Sequence, residues 1–231
     1  SPPNLFFYMK TLLVVSAHPD DMEFGCSGTV YKLIKKGYEA ILVVATNGES
    51  GFKQAHKPKK ERVKIREEEQ KKAAKILGFK KVIFLHEKDG HLENSLSFRT
   101  KLVSIIKEYK PNLVFTFDPA NRNFESLNLN HRDHRAVGEA VFDSVFASKN
   151  KFLFSGEQHK VDNLFFFGSH NPNHKENITK FLNVKMKALK QHKSQFPDFN
   201  KVEKRVKEYL LDKSEKKYFE KFRVVEVVQI T

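Results

Sequence analysis

The chain has 231 residues, 39% hydrophobic and 30% charged, with a net charge of +14 at neutral pH. That length suits one domain with a substantial core, and no apolar stretch approaches the roughly 18–20 residues needed to span a membrane. A single cysteine, Cys26, excludes an internal disulfide framework and points to a reducing compartment, the cytoplasm.

Residues 1–8 hold no basic residue and no cleavage pattern, which argues against a secretory signal. They read as an N-terminal extension or expression remnant, with the domain spanning 9–231. The apolar run Leu12-Leu13-Val14-Val15-Ser16-Ala17 predicts a strand over 11–16. Pro19 stops it, having no N–H for a ladder. Further strands are predicted at 40–45, 81–85, 112–117, 163–167 and 223–229. Helical patterns occupy 27–36, 61–77, 97–109, 132–147, 176–192 and 201–213. Gly37 and Gly78 stand where helix C-caps belong. Strand–helix alternation on this period implies βαβ units. The expected fold is α/β, a Rossmann-like, mostly parallel sheet flanked by helices in a single domain.

The positive charge concentrates in two segments. Residues 53–81 hold twelve Lys/Arg against four Glu, and 185–223 hold thirteen against six acids. Much of the excess lies on predicted helices, where lysines alternate with apolar positions, and reads as solvated helix faces. Attraction to an anionic substrate is the alternative, and no nucleic acid is expected, because no helix-turn-helix, RNP or zinc-finger pattern is present. Gly25 and Gly28 stand at the wrong spacing for a dinucleotide loop and follow carboxylates that repel a pyrophosphate.

Two clusters carry chemistry. His18-Pro19-Asp20-Asp21 follows the first strand, at the edge where open α/β sheets bind ligands. Asn130-His131-Arg132-Asp133-His134 follows the polar loop 118–130, which reads as a rim or lid, and opens a helix that puts His131 and His134 near one face. A catalytic zinc takes about three protein ligands and an open position for water. One His and one Asp of the first cluster and one His of the second meet that count, leaving one Asp and one His for acid–base work.

These residues resemble the LmbE-like or PIG-L family of zinc-dependent de-N-acetylases. Its first hallmark, Ala-His-Pro-Asp-Asp, is matched by Ala17 to Asp21, and its His-x-Asp-His block by His131 to His134. Fainter matches are Arg66 and Glu69 ahead of Ala73-Ala74-Lys75-Ile76-Leu77-Gly78, the stretch Pro111 to Pro119, and Lys187 to Gln195 with its His192-x-Ser194-Gln195. One departure stands out: Met22 follows the two aspartates where many members have Glu, and Glu23 comes next.

The resemblance implies removal of acetyl from an N-acetylated amino-sugar conjugate by a water that Zn2+ activates. His18, Asp21 and His134 would ligate the metal, Asp20 would be the general base, and His131 would stabilise the oxyanion, protonated to do so. Asp133 either interacts with free amides at its helix start or orients and charges His131. Arg66 contacts substrate or structures the site, or else pairs with Glu69. Asp89 is a turn residue or a substrate-hydroxyl contact, and His192 divides between pocket and structure. The resemblance allows a homo-oligomer. Rival readings are a metal-dependent amidase or phosphoesterase on a non-sugar substrate, and a non-catalytic basic binding module. His56, His86, His91, His159, His170 and His174 receive no role.

Overall fold

The computed structural model describes residues 9–51, 57–122, 124, 127 and 130–228. The extension 1–8, His56, part of the loop 118–130 and residue 229 of the last predicted strand lie outside the described residues.

Five apolar runs form the parallel part of the sheet: β1 (Thr11–Ser16), β2 (Glu39–Thr46), β3 (Lys81–Glu87), β4 (Leu113–Phe117) and β5 (Asn163–Phe167). Every residue of β1 after Thr11 is buried, as expected of a strand covered on both faces. Helices intervene, namely α1 (Asp21–Gly25), α2 (Ser27–Lys35), α3 (Lys59–Leu77), α4 (Leu96–Tyr109) and α5 (Arg132–Ser148). At the end of α3, Gly78 turns left-handed (φ 84°) and its N–H bonds the Ala74 and Lys75 carbonyls, the predicted cap.

The strand order is β3, β2, β1, β4, β5, and then two antiparallel strands, β8 (Lys217–Glu226) and β6 (His174–Asn177). The chain winds one way from β1 through β2 to β3, then the other way through β4 to β5. The gap above the C-terminal ends of β1 and β4 is therefore the switch point, where open α/β sheets form their crevice.

The C-terminal third departs from expectation. The helix predicted at 176–192 is instead β6, a single 3-10 turn at Thr179–Phe181 and the shorter α6 (Leu182–Leu189). The helix predicted at 201–213 is α7 (Phe199–Leu210), followed by the two-residue strand β7 (Leu211–Asp212). The last strand begins six residues early, because β8 pairs in turn with β7, β6 and β5 along its length. Inside this region Lys185 and Glu220 form a fully buried ion pair at 2.7 Å. The pair is satisfied all round: Lys185 Nζ also donates to the Glu23 and Phe24 carbonyls, and Glu220 accepts from Gly28 and Thr29 N–H.

Candidate active site

The first motif forms a tight turn at the end of β1. The Asp20 backbone lies at φ 89°, a left-handed conformation that a non-glycine residue holds only when its surroundings impose it. Two side chains of α3 impose it. Arg66 Nη2 donates to the Pro19 carbonyl at 2.7 Å, and the Asp20 N–H donates to Gln70 Oε1 at 3.0 Å. Asp21 closes the turn by accepting from the His18 N–H at 2.7 Å.

The turn aims three donors at one point. His18 Nδ1 lies 3.3 Å from His134 Nε2, His134 Nε2 lies 3.3 Å from Asp21 Oδ1, and His18 Nδ1 lies 3.4 Å from Asp21 Oδ2. A tetrahedral zinc bonded at about 2.0–2.1 Å to nitrogen and oxygen spaces its ligand atoms about 3.3–3.4 Å apart. Each separation matches that spacing, with Asp21 offering Oδ1 to the His134 ring and Oδ2 to the His18 ring. His131 also reaches this point: a nitrogen from each of His18, His131 and His134 falls within 4.8 Å of the others.

The other nitrogen of His18 is held from behind. His18 Nε2 lies 3.1 Å from Asp89 Oδ1 and 3.2 Å from Asp133 Oδ2. Each carboxylate is itself anchored, Asp89 by the Ser50 N–H, and Asp133 by the Gly90 and Leu92 N–H groups. An Nε2–H shared with these acceptors leaves the Nδ1 lone pair for a metal. Asp133 thus faces His18 rather than His131, and its amide partners belong to the loop after β3 rather than to its own helix.

Electrostatics sort the acids. Burial pushes the Asp20 carboxyl up to about 6, against the pull of Arg66 and His192. Asp21 is buried too, but His134 and His18 hold it far below the usual carboxylate range. For His18, burial opposes a charge, yet Asp21, Asp133 and Asp89 raise its pKa well above normal. A site that favours positive charge so strongly is suited to a cation. His131 moves the opposite way, lowered by burial and by the neighbouring His18 and His134. Its Nδ1 accepts the Asp133 N–H at 3.2 Å as the cap of α5, so in the neutral ring the proton sits on Nε2.

A cavity of about 340 Å3 opens beside these groups, within the range of small-molecule sites. His18, Asp20, Arg66, Asp89 and His131 line it, together with Gly48, Ser50, Gly51, Gly90 and Gln195. Arg66 is a wall residue whose partners are the Pro19 carbonyl and, at 3.4 Å, Asp20 Oδ2. It does not pair with Glu69, which instead accepts from the Ser194 N–H and hydroxyl. His192 is fully buried and does not line the cavity; its Nε2 stands 3.3 Å from Glu23 Oε2, at ion-pair distance but off the line of an N–H bond. Gln70 and Ser50 were not singled out from the sequence. One glutamine in the polar run of α3 carries no signal, and Ser50 acts through its backbone.

A buried β1 turn supplying histidine and aspartate, joined by a helix-start histidine above a Rossmann-like switch point, defines a metal-dependent hydrolase of the α/β class. Residues 13–145 match the PIG-L family, described as GlcNAc-PI de-N-acetylase, and the chain belongs to that family. It is 32% identical over 196 residues to the diacetylchitobiose deacetylase of Thermococcus kodakarensis, covering 82% of this chain and 72% of that protein. A probable N-acetyl-alpha-D-glucosaminyl L-malate deacetylase 2 of Bacillus anthracis is 27% identical over 200 residues, covering 81% of this chain and 82% of that protein. The solved N,N'-diacetylchitobiose deacetylase of Pyrococcus horikoshii superposes with a TM-score of 0.87 at 29% identity, covering 98% of this chain and 87% of that one.

Proposed function

We propose that this chain is a zinc-dependent deacetylase that hydrolyses the acetamide of an N-acetylated amino sugar, releasing acetate and the free amine. The family and the deacetylase activity of its relatives support the reaction class. The observation that carries the site assignment is the trio His18, Asp21 and His134 at 3.3–3.4 Å, with Asp20 beside it and not among the three.

Zinc held by His18, Asp21 and His134 would supply Lewis acidity, bringing the pKa of a water toward about 7 and polarising the acetyl carbonyl. Asp20 faces the cavity, and as a carboxylate it takes the proton of the attacking water. Burial raises its pKa to about 6 without metal, and a bound cation favours the ionised form, so it is a carboxylate at neutral pH. His131 acts as a neutral donor, through Nε2–H, to the carbonyl oxygen as negative charge develops there. That replaces the protonated form implied by the family resemblance, because the Asp133 N–H occupies Nδ1 and the pKa falls. Asp20 then returns its proton to the leaving nitrogen as the C–N bond breaks.

Asp89 and Asp133 orient His18, Arg66 holds the turn and steadies ionised Asp20, and His192 belongs with Glu23 behind the site rather than with substrate. The basic segments fit solvated helix faces, since Lys57, Lys59, Lys71, Lys201 and Lys207 all have acidic partners. The test is metal analysis followed by amine-release assays on a panel of N-acetylglucosamine conjugates, comparing wild type with Asp20→Asn. Near-stoichiometric zinc in both proteins, with amine release only in wild type, is the expected result. Undiminished release by Asp20→Asn, or a metal-loaded wild type inert on every conjugate, overturns the reading.

A further inference from the structure

Met22-Glu23 departs from the family pattern, and Glu23 has no part in the mechanism above. It is nevertheless fully buried, and a buried carboxylate needs partners. Glu23 Oε1 accepts from Gln70 Nε2 at 2.7 Å, and Glu23 Oε2 faces His192 Nε2 at 3.3 Å. Gln70, also fully buried, passes the interaction on: its Oε1 accepts the Asp20 N–H at 3.0 Å. The contacts form one line, His192 to Glu23 to Gln70 to the Asp20 backbone, and it ends on the residue whose φ is left-handed.

The line has a direction. An amide can rotate by half a turn at little cost in shape, exchanging its acceptor for its donor. Glu23 removes that freedom, because a carboxylate accepts only, so the Gln70 NH2 must face it and the Gln70 oxygen must face Asp20. We propose that Gln70 and Glu23 are positioning residues of the deacetylase. By fixing that amide they hold the Asp20 backbone in the left-handed turn that points its carboxylate into the cavity, separate from the metal trio. This rests on the assignment of Asp20 as general base; His18, Asp21 and His134 make none of these contacts.

Three variants test it: Gln70→Leu, which deletes the acceptor; Gln70→Glu, which sets two carboxylates against each other; and the exchange Gln70→Glu with Glu23→Gln, which restores one acid and one amide in reversed order. The readouts are bound zinc, kcat and KM for amine release, and hydrogen exchange of the Asp20 amide in the metal-free protein. Gln70→Leu is expected to keep zinc and KM, lose about 10–100-fold in kcat, and expose the Asp20 amide to exchange at least about fivefold faster, as loss of a bond of order 1 kcal/mol predicts. The exchange variant is expected to recover at least about half of what Gln70→Glu loses on a logarithmic scale, as coupled partners do. Wild-type amide exchange in Gln70→Leu overturns the proposal, as does an exchange variant no better than Gln70→Glu; the latter pair decides should Gln70→Leu not fold. Amide exchange needs no turnover. A wild type without deacetylase activity would therefore refute the proposed function separately, while leaving the Gln70–Asp20 link measurable.

Discussion

Gly138 touches the end of β4 so closely that a Cβ there would lie 2.7 Å from the Phe117 carbonyl oxygen. The contact sets how near α5 approaches the sheet, and α5 carries Asp133 and His134. Phe117 itself stacks on the His134 imidazole, with ring centroids 3.9 Å apart and planes 11° from parallel. Gly138→Ala should therefore push α5 outward. Backbone cannot yield as a flexible side chain can, so a loss of about 1–3 kcal/mol is expected. Thermal or urea unfolding checks it, and zinc affinity measured on the folded fraction should fall as well. Unchanged stability would mean that α5 slides freely on β4.

Asp20 and Asp21 are neighbours that should fail differently. Asp21→Ala removes one corner of the metal trio and leaves two imidazoles, so the purified protein should carry little zinc. Asp20→Asn keeps the trio and removes the base, so zinc should stay while kcat falls by about 10²–10⁴-fold. Metal content and turnover, measured on the same preparations, separate the two.

His131→Ala tests the oxyanion role. His131 is not one of the three trio residues, so zinc should be retained, with kcat down about 10²–10³-fold. Loss of zinc in this variant would instead place His131 among the ligands, beside His18 and His134, whose nitrogens lie within 4.8 Å of its own. The cap that its Nδ1 gives α5 is also lost, at about 1 kcal/mol, so stability should be recorded beside activity.

Much of this arrangement is legible in the sequence. The five parallel strands read clearly because each is built on a short apolar run; β1, β2 and β4 are buried nearly throughout, while β3, at the sheet edge, is only half-buried. The strand β6 did not, because His174-Lys175-Glu176-Asn177 is polar and becomes a strand only by pairing with β8, some forty residues on. At the site, the histidines and aspartates of both motifs converge as expected, since their spacing on a strand end and a helix start fixes where they point. The partner of Asp133 was not readable. It depends on the loop after β3, whose Gly90 and Leu92 amides turn its carboxylate toward His18. Gln70 was hidden for a similar reason: its role is created by a backbone N–H on another element.

The last prediction concerns pH. In the proposed mechanism Asp20 acts as the carboxylate, and burial, which disfavours the charge, raises its pKa to about 6 without metal. Activity should therefore fall as pH drops through the Asp20 pKa, about tenfold per unit below it. A bound divalent cation favours the ionised form, so the acid limb of the holoenzyme should lie lower than the titration of the metal-free protein. Arg66 works in the same direction, its guanidinium 3.4 Å from Asp20 Oδ2. Removing that charge in Arg66→Gln must raise the Asp20 pKa and move the acid limb to higher pH, with the plateau rate lower because the Pro19 carbonyl loses its donor. The pH dependence of kcat/KM, read beside the carbon-13 shift of the Asp20 carboxyl in metal-free protein, checks both effects. An acid limb that moves to lower pH in Arg66→Gln would show that Asp20 is not the group being titrated.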